Sequence, residues 1–288
     1  MDLSLGARAQ GAGRVAPSIG GSIDHVALLV ADLDAGRAAL EALGLAVSPQ
    51  GRHVAFKTTN HVAVLERTYL ELLAIEEPGV ENTRHRELLA GGGGLGALAV
   101  PSADLWASVV SARAVGVEMG PIEAFDRPVE VGGEMRAAKF ETAFLPPIKG
   151  LRAMVFVCHH HTPELVWDPD QARRPNGVSE LVRVRLSTPR PEQAAAAVGA
   201  VLDVKPVQIG KAFVLRRGGQ VLAFDPVSPS SLTLRVSQRP SPAALRIAGY
   251  SLERQSGNWL SIRHPALGSC QIELETDAGH AMHAPAAP

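Results

Sequence analysis

One order of elements occurs twice in the first 170 residues: a short apolar strand, a helix, and then several strands. In the first copy, residues 22–33 form an aliphatic strand and an aspartate-rich turn, and the alanine- and leucine-rich helix that follows ends at Gly44. Strands separated by turn-prone residues continue to Ile75. The second copy starts after the glycine run 91–94 and has its helix from Leu105 to Gly116. The repeat predicts an α+β chain built from β-α-β-β-β units.

A third cycle follows a proline-rich linker and is less regular. A strand at 181–186 precedes an alanine-rich helix at 191–202, and further strands are predicted at 212–224, 244–252, 258–263 and 270–275, with a Ser/Pro patch at 227–242. The predicted divisions are a disordered tail (1–21), a domain of two modules (22–170, with modules 22–80 and 93–168), a third, more divergent α+β region (171–276) and a flexible C-terminal tail (277–288).

Composition excludes several classes of function. The chain has 288 residues, 46% of them hydrophobic, and its 28 basic and 29 acidic residues leave a net charge of −1. No long basic run offers a face to phosphates, so we expect no nucleic-acid partner. No run of about 18 apolar residues predicts a membrane span. Two distant cysteines and the lack of a secretory signal pattern favour a reducing, cytoplasmic setting.

The stretch from Cys158 to Trp167 concentrates metal-ligating side chains, since three consecutive histidines and Glu164 follow an apolar strand. If the strand continues, alternation places Cys158, His160 and Glu164 on one face, and His159 and His161 on the other. The three histidines therefore cannot all face inward, and we expect at least one to be exposed.

Two glutamates stand in apolar strands, each followed by leucine. Glu71 lies within the strand 69–73, and Glu164 lies near the end of the stretch described above. A buried, unpaired carboxylate is costly, so each must be paired, bound to a metal or exposed to solvent. Glu273 repeats the Glu-Leu pattern and is interpreted as a paired residue of the third region. His25 and Glu164 also have structural interpretations, as a core histidine and a strand-edge carboxylate.

These segments together resemble the vicinal oxygen chelate superfamily, which includes glyoxalases, bleomycin-resistance proteins and extradiol dioxygenases. The resemblance is carried by Ile23-Asp24-His25-Val26 with Asp32-Leu33, by Thr58-Thr59-Asn60 before Tyr69-Leu70-Glu71-Leu72-Leu73, and by residues 160–167 with Pro175-Asn176-Gly177. It is strongest for the glyoxalase-like branch and covers roughly residues 22–177. It implies paired βαβββ modules that form a cupped, barrel-like mixed sheet with flanking helices, and a metal site inside the cup.

The resemblance also implies a ligand set. His25 and Glu71 would be ligands from the first module and Glu164 from the second, while Ala97 stands where a fourth ligand is expected. The site then has either three ligands or a fourth supplied by His160. The implied cofactor is a divalent ion (Zn, Ni, Mn or Fe) that binds vicinal oxygens of a small organic substrate, with Glu71 or Glu164 as a catalytic base. Lyase, isomerase and dioxygenase activities all remain open.

A rival hypothesis is a non-catalytic protein that sequesters a small molecule in the same cup, as bleomycin-resistance members of the superfamily do. The missing ligand at Ala97 favours it. The aromatic residues that would line such a pocket are Phe56, Phe140, Phe144, Phe156 and Trp167. A third alternative is assembly through sheet edges, and a homodimer is compatible with the resemblance.

Overall fold

The computed structural model describes residues 16–167 and 177–276, which form two eight-stranded sheets and five α-helices. The first sheet and its helices comprise β1 (His25–Leu29), α1 (Leu33–Ala42), β2 (Gly51–His53), β3 (Thr58–Val64), β4 (Tyr69–Ile75), α2 (Thr83–Ala90), β5 (Gly94–Pro101), α3 (Leu105–Ala114), β6 (Ile122–Val131), β7 (Glu134–Phe144) and β8 (Met154–His160). The second comprises β9 (Val178–Ser187), α4 (Pro191–Leu202), β10 (Val207–Ile209), β11 (Ala212–Arg217), β12 (Gln220–Asp225), β13 (Ser231–Val236), α5 (Pro242–Ile247), β14 (Ser251–Ser256), β15 (Trp259–Arg263) and β16 (Gln271–Thr276).

The first sheet joins two β-α-β-β-β modules through their first strands. Its strand order is β2-β3-β4-β1-β5-β8-β7-β6. Within each module the first strand pairs in parallel with the last, and β1 and β5 pair antiparallel at the centre. The sheet curls until its two edge strands approach each other. Their approach is seen where Gly51 on β2 lies beside the Arg127 side chain of β6. The predicted cupped sheet of paired modules is confirmed.

The second sheet repeats this topology, in the order β10-β11-β12-β9-β13-β16-β15-β14. It therefore contains two further modules, where the sequence had suggested one divergent region. The predicted Ser/Pro patch 227–242 contains the strand β13, and the predicted strand 244–252 begins as the helix α5. This helix has only six residues, too few to show helical periodicity, and the Ser241 side chain caps it by accepting from Ala244 N–H.

The predicted N-terminal tail ends earlier than expected. Residues 17–20 form a 3₁₀ turn, and Ala16 and Ser18 are buried. Residues 1–15, most of the linker (168–176) and the C-terminal tail (277–288) lie outside the described residues. Within the part of the chain that is described, no helix has the length and apolar character that crossing a membrane requires.

The main core lies between the convex faces of the two sheets. It contains Leu28, Leu72 and Leu98 from the first sheet together with Val184 and Leu234 from the second, all buried. Backbone hydrogen bonding also joins the halves. Ser269 donates from its N–H to Gly92 O and from its hydroxyl to Gly93 O, and both glycines have positive φ angles that other residues rarely adopt. The glycine run is therefore a turn at the contact between the halves.

Candidate functional site

The concave face of the first sheet encloses a cavity of about 100 Å³. Its space comes from small side chains at the centre of the sheet, where Ala27 of β1 is the register partner of Ala97 of β5. Alternation along each strand points every second residue at this cavity, so β4 contributes Tyr69, Glu71 and Leu73. Ala97, the position where the resemblance implied a ligand, lines the cavity without offering one.

Aromatic side chains form much of the cavity wall. Phe125 stacks on Phe140 with ring centroids 5.1 Å apart, and Phe144 lies 5.0 Å from Phe156. Phe56 completes this apolar lining. Four of the five aromatic residues expected at the pocket are there, while Trp167 packs beneath it against His160 at 4.8 Å.

Asp24, at the floor of the cup, is fully buried and accepts three side-chain hydrogen bonds. Ser18 donates to its Oδ2 (2.6 Å), while His25 Nδ1 (2.7 Å) and His160 Nε2 (2.9 Å) donate to its Oδ1. Burial alone would raise the pKa of Asp24, but the two imidazoles more than offset this and hold the pKa below its ordinary value. A charged carboxylate thus anchors both rings.

His25 is held in one orientation by two contacts. Its Nδ1 is bound to Asp24, and its ring stacks on Tyr69 with centroids 4.2 Å apart and planes 11° from parallel. This leaves Nε2 as the ring nitrogen available to a ligand in the cavity. A carboxylate that fixes one nitrogen is the usual arrangement for a histidine that binds a metal or a proton through the other.

His160 is the inward-facing member of the three histidines. Its side chain is 1% exposed and packs between Phe140 and Trp167, while His161 is exposed and His159 turns away to donate to Ser102 O. Its Nδ1 is buried and has no hydrogen-bond partner within the described chain. The hydrogen-bonding capacity of the imidazole is therefore incompletely used, which costs free energy because the buried nitrogen is also shielded from water.

Four donors converge at this floor. Ligand atoms of Asp24, His25, Cys158 and His160 all lie within 4.8 Å of one another, and all four residues are buried. Burial raises the pKa of the Cys158 thiol well above its ordinary value, so the thiol is neutral at pH 7 without a cation beside it. One thiol, two imidazoles and one carboxylate are donors that zinc accepts, and His160 Nε2 lies close both to Asp24 Oδ1 (2.9 Å) and to Cys158 Sγ (3.6 Å). The residues present fit a divalent cation.

Glu71 faces the cavity from β4 and is 8% exposed. Asn60 donates to its Oε1 at 2.7 Å, and His53 Nε2 lies 3.7 Å from the same oxygen. The apolar strand thus holds a carboxylate that an amide orients toward the space where a ligand would bind. It is not part of the four-donor cluster.

Glu164 is placed differently from the sequence prediction. The strand does not continue to Glu164, as the alternation argument assumed, but ends at His160, and Pro163–Leu165 form a 3₁₀ turn in which Glu164 is exposed. Pro163 cannot donate to a strand ladder, which is a physical reason for the early end. The structure therefore brings His25 and His160 together at Asp24, places Glu71 in the cavity, and leaves Glu164 at the surface.

Two further histidines line the cavity. His53 is the last residue of β2, and His85 projects from α2, a helix that the sequence pattern did not predict. Burial lowers the pKa of both imidazoles, although Glu71 opposes the shift in each case. Both are therefore neutral at pH 7. His85 Nδ1 is buried without a hydrogen-bond partner among the described residues.

Asp24, His85 and Arg127 are site residues that sequence reasoning missed. Asp24 stood beside His25 in the motif that suggested the family, yet alternation along an ideal strand would turn its side chain away from the cup. His85 and Arg127 reach the cavity from a short helix and from an edge strand. No local pattern marks either residue, so only the three-dimensional structure identifies them.

The second sheet has a different interior. Glu273, only 2% exposed, pairs with Arg185 at 3.0 Å and accepts a hydrogen bond from Thr233, while Arg235 pairs with Glu180. These charges satisfy one another where the first sheet has its cavity. The interpretation of Glu273 as a paired residue agrees with these contacts.

Comparison with known proteins identifies the family. Residues 23–202 match the family described as "Glyoxalase-like domain". No curated protein matches the chain. Among solved structures, a hypothetical protein from Staphylococcus aureus is 13% identical with a TM-score of 0.67, over 88% of this chain and 99% of that one.

Two other solved structures share the fold. A variant of 4-hydroxymandelate synthase from Streptomyces coelicolor is 14% identical with a TM-score of 0.54, over 90% of this chain and 93% of that one. A fusion of a xylose isomerase-like TIM barrel with 4-hydroxyphenylpyruvate dioxygenase is 11% identical with a TM-score of 0.54, over 98% of this chain and 52% of that one. At these identities the likeness establishes the fold alone. Because the family match spans well over half of the chain, the protein belongs to the glyoxalase-like domain family of the vicinal oxygen chelate superfamily.

Proposed function

We propose that the protein is a metal-dependent glyoxalase-like enzyme that binds a small organic substrate through adjacent oxygen atoms. The observation that carries the proposal is the convergence of four buried donor atoms at the floor of the cavity. Two of the residues that supply them, His25 and Cys158, also line the cavity. A cation held there would be within reach of a bound molecule.

Asp24, His25, Cys158 and His160 would hold the cation, and zinc is the ion that this mixed donor set suits best. When bound, such an ion supplies Lewis-acid stabilisation of negative charge on a substrate oxygen. Compared with the ligand set implied by the resemblance, His25 and His160 are retained. Asp24 and Cys158 take the places of Glu71 and Glu164.

Glu71 would act as the proton acceptor. Its Oε1 is fixed by Asn60, and its position in the cavity wall lets it reach a carbon-bound proton of a molecule lying in that space. His53, 3.7 Å from the same oxygen, is placed to stabilise the carboxylate or to pass a proton on. The phenylalanine walls exclude water and so strengthen electrostatic interactions at the carboxylate.

The reaction we propose is proton transfer at a carbon next to a carbonyl group, as isomerases and lyases carry out, and the carboxylate of Glu71 in the cavity wall supports it. The cavity volume of about 100 Å³ limits the reacting part of the substrate to a small group. A larger remainder would extend out of the mouth past His53 and His85.

Elemental analysis of protein purified without a histidine tag tests the cation site. After dialysis against zinc, manganese, nickel or iron(II), we expect about one equivalent of zinc to remain bound, and less than a tenth of that in Cys158→Ser or His160→Gln. His159→Gln is the matched control, because this neighbouring side chain turns away from the cavity. Wild-type protein that retains no ion would overturn the metal-dependent proposal.

The second candidate function is non-catalytic binding of an apolar small molecule. It is favoured by the aromatic walls of the cavity and by the contacts of Asp24, whose carboxylate accepts hydrogen bonds from Ser18, His25 and His160. The same elemental analysis separates the two candidates. A metal-free wild-type protein whose ligand affinity is unchanged by Cys158→Ser supports binding alone.

A further inference from the structure

The mouth of the cavity contains a cation, Arg127, for which the described part of the chain supplies no partner. Arg127 lies on β6 and faces the same side of the sheet as Phe125, and its side chain lines the cavity. No hydrogen bond or ion pair engages its guanidinium within the described residues. Arg52, on the adjacent edge strand β2, has instead its own partner in Glu76.

The position of Arg127 lets it reach a molecule entering from the side. It lies where the two edge strands of the curled sheet approach each other, with its Cδ 3.7 Å from the point that a Cβ of Gly51 would occupy. It also lines a second cavity of about 210 Å³, together with Gly51. The guanidinium therefore stands between the junction of these edge strands and the phenylalanine walls.

The other groups at the mouth do not neutralise this charge. His53 and His85 are neutral at pH 7, because burial lowers the pKa of each. Glu71 is held by the neutral amide of Asn60 and forms no ion pair with Arg127 among the described residues, and Asp24 accepts from three donors at the floor. A partly buried guanidinium is thus left beside an aromatic pocket, and a planar carboxylate is the group that matches its paired N–H donors.

We propose that Arg127 is a specificity-determining residue that binds the carboxylate of a small acid whose apolar or aromatic part lies among Phe125, Phe140 and Phe144. This inference rests on the proposed function in that it names the substrate class of the same cavity. Arg127 binds the carboxylate by charge-assisted hydrogen bonds, and the carbon next to that group is thereby directed toward Glu71.

Two probes of nearly equal shape test the assignment. Phenylacetate carries a carboxylate where phenylacetamide carries a neutral amide, so the ratio of their affinities reports recognition of the charge. Isothermal titration of chelator-treated protein at fixed ionic strength should show that phenylacetate binds about tenfold more tightly. Arg127→Gln should abolish this preference by weakening phenylacetate far more than phenylacetamide, and measurable binding of phenylacetamide to the variant shows that the cavity is intact.

Arg127→Lys should keep part of the preference, since the charge remains but the fork of donors is lost. Arg52→Gln is the matched control and should retain all of it. Equal affinities for the two probes in the wild type, failure of both to bind at millimolar concentration, or a preference that survives Arg127→Gln would overturn the inference.

The result is separable from that of the cation experiment, because the titration uses metal-free protein. A protein that prefers phenylacetate and binds no zinc supports the role of Arg127 and overturns the proposed metal dependence. A protein that binds zinc and treats both probes alike overturns only the role of Arg127.

Discussion

At the residue scale, the site combines groups that are neutral because they are buried with groups whose charge is maintained by partners. Asp24 remains charged because two imidazoles and a hydroxyl donate to it. His53 and His85, by contrast, give up their protons easily because burial lowers the pKa of each imidazole. The same cup thus holds a fixed anion at its floor and titratable bases at its mouth.

The two histidines at the mouth make stability depend on pH. Their pKa values in the folded protein lie below the ordinary 6.5, so the unfolded chain binds more protons than the folded chain as pH falls below about 6.5. The free energy of unfolding must therefore decrease as the pH is lowered from 7. Each group contributes a slope of at most about 1.4 kcal/mol per pH unit.

We expect His53→Gln to reduce this slope between pH 6.5 and 5, measured by urea denaturation at a series of pH values. Val54→Ala is the control, because Val54 is the next residue and its side chain is 75% exposed. A slope that is the same in His53→Gln and wild type would show that His53 takes up protons equally in both states.

At the element scale, each module of the first sheet starts its helix with the same device. Asp32 caps α1 by accepting from Ala35 N–H, and Asp104 caps α3 by accepting from Ala107 N–H, each at 2.9 Å. The caps turn the chain sharply after β1 and β5. The two central strands that precede these caps carry Ala27 and Ala97, which line the cavity.

Removing either cap should cost about 1 kcal/mol of stability, because a helix N–H loses its acceptor. We expect Asp32→Ala and Asp104→Ala to lower the free energy of unfolding by similar amounts in chemical denaturation. Asp34→Ala removes a charge from the first turn of α1 without removing the cap, so its effect should be smaller, about 0.5 kcal/mol. Equal losses at Asp32 and Asp34 would contradict the capping role.

Sequence reasoning succeeded for elements with strong local signals and failed where tertiary contacts decide. The helices α1 and α3 and the strand of Glu71 are all marked by residue type and spacing. The helix α2 and the six-residue α5 are too short for periodicity to reveal. The four-donor cluster requires a contact between Asp24 and His160, which are 136 positions apart in the sequence. Only the pairing of whole modules creates this contact.

At the scale of the whole molecule, the two sheets depend on each other through polar contacts as well as the shared core. Gln220, 1% exposed, accepts at Oε1 from the N–H groups of Ser22 and Ile23, directly before β1. Tyr250 donates to Ala39 O of α1 from the second half. Arg67 pairs with Glu180 across the same boundary. The second half therefore supports the segment that presents Asp24 and His25.

Gln220→Ala should lower the free energy of unfolding by about 3 kcal/mol, because two buried N–H groups lose their acceptor. We also expect it to lower the affinity for zinc or phenylacetate, since the segment 22–25 would be less rigid. Gln208→Ala, at an exposed position of the same half, serves as the control. Destabilisation below about 0.5 kcal/mol would show that the bonds from Gln220 add little.

The ion pairs inside the second sheet have a consequence for how the chain can evolve or be engineered. A cavity lined by polar groups lowers the stability of a fold. In a single barrel, the same interior would have to bind the ligand and stabilise the fold. In this chain the two tasks fall to different halves. Arg185, Thr233 and Glu273 pair with one another inside the second half, and the residues that line the cavity of the first half are free to vary. Libraries that randomise only the open half should therefore retain more folded members than libraries that spread the same substitutions over both.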